Sequence, residues 1–224
     1  MSPPTLSCLL VYPNYFMVLI DLSTSLTDVG LAIESALFCG LLVGRRSPGL
    51  RYWAIAFGCT AIAALAGALY HGLVLPKWGV MICHATIAHG IGLASSSMVL
   101  GIVSRSLPAS FYPWCFSAIG VYFVVFSGLK QQHLGDFRYV AADYLVALGI
   151  GVGLAIAASI RHPSHFGTWL MAGFSISGLS ACVLMWQWTP IRAIHPEAIY
   201  HLFQMVALYC LFRGSGTLTH GHAH

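Results

Sequence analysis

Charge is what this sequence has least of. Only 7% of its 224 residues are Asp, Glu, Lys or Arg, against roughly a quarter in soluble domains. With 58% hydrophobic residues and a mean hydropathy of +0.81, no water-soluble fold could dispose of so much apolar surface. A basic patch is missing too. The ten Lys and Arg residues are spread over short loops and cannot follow a phosphate backbone, which excludes nucleic acid as a partner. Lysine is reduced to Lys77 and Lys130. Both are read as loop residues, which sets aside a retinal-type Schiff base, since that needs a lysine within a span. The seven cysteines are odd in number, never spaced as CxxC and mostly inside apolar stretches, so they are read as small core residues. Histidines at two facing depths, which a multi-haem cytochrome b would want, are lacking.

What is present is a series of apolar stretches of about twenty residues, each long enough to cross a hydrocarbon core of roughly 30 Å as a helix. They fall near residues 22–44, 52–75, 78–104, 111–129, 137–160, 166–188 and 196–213, bounded by Pro, Gly or basic residues. The fold expected is all-α, a polytopic bundle of seven transmembrane helices. Residues 1–21 precede it, interrupted by Tyr12-Pro13-Asn14 and without the pattern of a signal peptide, and are read as an interfacial segment. A tail over 214–224 follows, with His220, His222 and His224 read as solvated.

Basic residues near span ends are retained on the cytoplasmic side. An outside N-terminus and a cytoplasmic C-terminus put Arg45, Arg46, Arg51, Arg105, Arg161 and Arg213 inside, and Lys77, Lys130, Arg138 and Arg192 outside. The expected location is the cell (inner) membrane. In this layout none of the six acidic residues (Asp21, Asp28, Glu34, Asp136, Asp143, Glu197) falls in a cytoplasmic loop.

The polar residues within spans gather at one depth. Asp28, His71, Asp143 and His201 each lie one to two turns from the same outer boundary, within roughly 10–15 Å of it. They also share stripes: Asp21, Ser25, Asp28 and Ser35 on span 1, Thr60, Gly67 and His71 on span 2, Asp136, Tyr139 and Asp143 on span 5, Glu197, His201 and Gln204 on span 7. Charge in a bilayer is expensive unless paired, hydrated or metal-bound, and by default it marks function. A metal or catalytic cluster, a structural polar network and a proton or ligand pathway all remain open readings. In the structural version Glu197 and His201 pair internally and Asp143 neutralises Arg138. For a metal, His71, Glu197 and His201 supply three ligands suited to zinc with a fourth position open, and Asp28 or Asp143 supplies a partner or general base. His84 and His89, about 140° apart around their helix, cannot both face one site. His162 and His165 are placed among lipid headgroups.

Leu26-Thr27-Asp28, Gly67-Ala-Leu-Tyr70-His71-Gly72, the run from Phe137 to Tyr144 and Ile199-Tyr-His-Leu-Phe-Gln204 resemble an uncharacterised family of bacterial seven-span proteins. More distantly, the layout resembles the superfamily of alkaline ceramidases, adiponectin and progestin receptors and haemolysin III-like proteins. That resemblance implies zinc held by one histidine late in span 2 and two in an HxxxH of span 7. His71 matches the first and His201 the last, while Glu197 stands at the remaining position and Gly67 stands where the superfamily has a serine. The implied His₂-carboxylate set suits zinc and leaves iron or manganese open.

The activity expected is metal-dependent hydrolysis of a lipid amide or ester, with membrane lipids as partners. The alternative is a non-catalytic subunit packed among other membrane subunits, for which Gly149-Gly151-Gly153 and Trp186-Gln-Trp188 would serve. A receptor or transporter ranks last, because no span is plainly broken in its middle.

Overall fold

The computed structural model describes residues 21–45, 47–134, 136–161, 165–190 and 194–216. The expectations for the segment before Asp21, for Arg46, His162 and Arg192, and for the histidine tail lie outside the described residues, as do the side chains of Arg161 and His165. Seven long helices account for the described chain: α1 Leu22–Val43, α2 Pro48–Gly72, α3 Lys77–Ser106, α4 Tyr112–Gln132, α5 Phe137–Arg161, α6 His165–Met185 and α7 Pro196–Gly216. Six of them, α1 to α6, are long and apolar enough to cross a membrane. The exception is α7, whose run of Glu197, His201, Gln204 and Arg213 lowers its hydropathy.

The helices start and stop where backbone chemistry says they should. Asp21 caps α1, its carboxylate accepting from the Thr24 amide at 3.1 Å. Proline opens α2, where its missing N–H costs nothing. Polarity is inverted relative to a soluble helix: on α1, Asp28 is 3% exposed while Leu26 is 60% exposed. Such a helix offers its oil outward and its polar stripe inward, as a bilayer demands. The core at the level of α1, α2 and α7 is aromatic, with Phe38 stacked on Phe212 at 4.3 Å and Phe57 edge-on to Phe38.

Short connections make successive helices antiparallel, so the starts of α1, α3, α5 and α7 share one end of the bundle with the ends of α2 and α4. The Asp21 amide donates to the His71 carbonyl at 3.0 Å, fastening the start of α1 to the end of α2. At the opposite end Arg105 lies over Phe166 and Arg213 over Trp169. Between the ends runs a cavity of about 780 Å³, bounded by residues of every long helix, polar where Asp28, His71, Glu197 and His201 line it and apolar toward Leu208 and Leu211.

One sequence expectation is corrected here. Lys130 is not a loop residue: α4 continues to Gln132, and Lys130 is 2% exposed. A basic residue at the edge of an apolar run reads as a boundary, but this ammonium has a carboxylate partner inside the bundle, and the helix has no reason to stop. Lys77, also read as a loop residue, is the first residue of α3 and stands exposed there. The cysteines fit their reading in part: Cys83 and Cys210 are buried, and Cys39, Cys59, Cys115 and Cys182 are half-buried.

Candidate functional site

Two layers of ionisable side chains gather near the polar end of the cavity, which Asp28, His71, Glu197 and His201 line. The outer one forms where three helix termini meet. Asp21 precedes α1 and His195 precedes α7, with Glu197 in the first turn of α7; the Asp21, His195 and Glu197 ligand atoms all lie within 4.8 Å of one another. His195 Nδ1 is 3.8 Å from Asp21 Oδ2 and 3.7 Å from Glu197 Oε2. His71, at the end of α2, joins through Glu197, Nδ1 to Oε2 at 3.7 Å. Glu197 therefore stands between two imidazoles. The positive ends of α1 and α7 favour the carboxylates placed there.

Burial alone would raise the Asp21 carboxyl, but hydrogen bonds from Thr24 and Ser23, helped by the charge of His195, hold it below its ordinary 3.8. The sign follows: a carboxylate with a lowered folded pKa contributes stability that is complete above the unfolded value and is lost as pH falls through the folded one. Asp21→Ala should cost about 1 kcal/mol of cap stability near neutral pH. The stability gap between wild type and variant, followed by thermal unfolding, should narrow only below about pH 4. A gap already gone at pH 5 would contradict the capping role.

The inner layer is the pair His201 and Asp28, Nε2 to Oδ1 at 3.4 Å, with Thr27 Oγ1 at 3.2 Å from His201 Nδ1. Asp28 Oδ2 is buried without a hydrogen-bond partner, an unspent acceptor at the cavity wall. Gly67, one turn before His71, makes this arrangement possible: a Cβ there would lie 2.8 Å from Asp28 Oδ2. The carboxylate fills the space that a serine side chain on α2 would take. Farther in, Gln204 donates to Ser180 at 2.7 Å and to Tyr144 at 3.0 Å, and closes the polar part of the cavity.

The structure thus gathers Asp28, His71, Glu197 and His201 around one cavity but sorts them into two levels, Glu197 with His71 and His201 with Asp28. Asp143 stands apart. It is 1% exposed, its Oδ2 accepts from Lys130 Nζ at 2.5 Å and its Oδ1 from the Tyr122 hydroxyl at 2.5 Å. Arg138 is bound by Asp136 rather than Asp143, Nη2 to Oδ2 at 2.7 Å, and this contact holds the Asp136 carboxyl down at about 2. His84 lines the cavity and packs on Tyr70 at 4.6 Å, while His89 turns to Gln131 at 3.2 Å, as their angular separation requires. His195 is the residue that sequence reasoning missed. Its one signal was its place before Pro196, where a helix begins.

A family model matches residues 23–220. The chain belongs to DUF6962, a family of unknown function. Every helix of the bundle, save Leu22 at the start of α1, falls within the matched region of this DUF6962 member, and so do Asp28, His71, His195, Glu197 and His201, whereas Asp21 lies before it. No curated protein and no solved structure matches the chain.

Proposed function

We propose that this protein is a metal-dependent membrane hydrolase acting on a lipid amide or ester, with α7 as a seventh span and the carboxylate-rich end of the bundle facing out of the cell membrane. The observation that carries the reading is the joining of a His–carboxylate cluster, with ligand atoms within 4.8 Å, to a cavity of about 780 Å³ that is polar at that end and apolar beyond. A cavity of this size and polarity suits an amphiphile. Its chains would lie against Leu208 and Leu211 and its linkage against the histidines.

Asp21, His195 and Glu197 are the proposed ligands, with His71 as a fourth. Two carboxylates and one or two imidazoles suit zinc, with iron and manganese as the competing occupants. Such an ion would supply Lewis acidity and would acidify a water for attack on a carbonyl near neutral pH. The chain's own residues do the remainder. Glu197 is oriented by His71, Asp28 Oδ2 takes a proton from the attacking water and returns it to the leaving amine or alcohol, and His201 steadies Asp28 from the other oxygen. The hydrophobic wall excludes bulk water from the linkage.

Elemental analysis of protein purified without added affinity histidines tests this. Because the tail itself carries His220, His222 and His224, the decisive comparison is between variants. Wild type should hold about one ion more per chain than Glu197→Gln or His195→Ala, while His201→Ala should retain it, since removing a direct ligand weakens binding severely. Loss in His71→Ala and His201→Ala with retention in His195→Ala would instead favour the set His71, Glu197 and His201. Equal metal in wild type and every variant would sink the hydrolase and leave the accessory subunit. That second reading draws on α4, whose only buried side chain is Lys130, leaving its flank free for a neighbouring helix.

A further inference from the structure

We propose that Lys130 is an imine-forming lysine that captures a long, apolar aldehyde in the cavity. The proposal is independent of the metal cluster and shares no residue with it.

A lysine near the end of a membrane helix ordinarily extends its ammonium toward water. Lys130, two residues before the end of α4, does the opposite. Its Nζ reaches inward to the Ala88 carbonyl of α3 at 2.9 Å and to Asp143 Oδ2 of α5. Room for the pair is kept by Gly92, one turn beyond Ala88, where any Cβ would collide with Lys130 Nζ and Asp143 Oδ2. Lys130 belongs to the cavity wall. An amine, its carboxylate counter-ion and a long apolar space are thus found together, and the counter-ion is itself fixed by Tyr122.

The chemistry balances without a further reagent. Asp143 takes a proton from the Lys130 ammonium, the free amine adds to the aldehyde carbon, one of its two N–H protons passes to the former carbonyl oxygen to make a hydroxyl, and Asp143 returns its proton to that hydroxyl as it departs. One water leaves. The product, formed as that water leaves, is a protonated imine carrying the charge the ammonium had, with Asp143 as its counter-ion. The nitrogen keeps one N–H to donate to that carboxylate.

The other lysine serves as the internal control, because Lys77 is exposed and carries no such surroundings. The full-length protein in lipid nanodiscs is incubated with all-trans-retinal or with hexadecanal, reduced with borohydride, and mapped by peptide mass spectrometry. The expected result with at least one probe is a single adduct on Lys130, at least tenfold above Lys77. For retinal an absorption band at longer wavelength than the free aldehyde should precede reduction. Retinol, lacking the carbonyl, should leave no adduct. Lys130→Arg, which keeps the charge, should lose both band and adduct. Glu197→Gln should keep them, so that failure of the metal reading and failure of this one are told apart. Labelling no greater at Lys130 than at Lys77 with both probes, or a shifted band surviving in a folded Lys130→Arg protein, would overturn the proposal.

Discussion

Lys130→Met is expected to lower stability by about 3–5 kcal/mol, because it leaves the Asp143 carboxylate buried without its cation. The pair is 1% exposed on both sides, so water cannot replace the missing partner. The double variant Lys130→Met, Asp143→Leu should recover most of that loss. In it no charge remains to be solvated, and Tyr122 keeps an acceptor in the Asp143 main-chain carbonyl at 2.9 Å. Thermal unfolding of the four proteins of this cycle in one detergent measures the coupling. A double variant as unstable as Lys130→Met would mean that the pair contributes through shape and not through charge. The effect should also be local at first. Since Lys130 is the one buried residue of α4, its ties to α3 and α5 anchor a helix that otherwise packs only through half-buried and exposed side chains, such as Phe116 on Tyr52, and proteolysis or exchange in α4 should rise before the remaining helices respond.

Gly67→Ser is the second change with a large expected effect, about 1–3 kcal/mol of destabilisation from overpacking. The added Cβ would fall within 2.8–3.1 Å of three atoms of Asp28, and a short, buried side chain on α1 has little freedom to retreat. Asp28 would be pushed off His201. Combining Gly67→Ser with Asp28→Ala should relieve the clash and give a protein more stable than Gly67→Ser alone, though without the inner pair. Calorimetry on the three variants decides it, and equal stability of Gly67→Ser and wild type would mean that Asp28 has a second position available. The same experiment bears on the distant superfamily resemblance. A serine cannot simply be placed at position 67 of α2 while α1 carries this aspartate.

Most of the helical architecture was legible in the sequence because a membrane helix must satisfy its backbone internally, which makes long apolar runs hard to mistake. Helix α7 was the least legible for the same reason: the residues that give it chemical interest are those that dilute its hydropathy. Stripe arguments worked where a side chain's role depends on its own helix. They aligned Thr60, Gly67 and His71, and Glu197, His201 and Gln204, along one cavity wall. They could not pair residues between helices. Depth alone put Asp143 beside His201, and only the packing of α3, α4 and α5 shows that Lys130 claims it. His195 escaped notice because a residue ahead of a proline belongs to no period, and because its two partners come from opposite ends of the chain.

That last circumstance governs how the protein must mature. Thr27 and His201, which touch across the inner layer, are 174 residues apart, and the outer cluster likewise joins the first helix to the last. Neither layer can be complete before α7 has emerged. α1 and α2 can dock early through the Asp21–His71 main-chain bond, but they wait with Asp28 uncompensated until α7 arrives and closes the ring. On the proposed reading, an ion bound across Asp21, His195 and Glu197 would act as a clasp, tying the first helix to the start of the last and stabilising only the completed molecule.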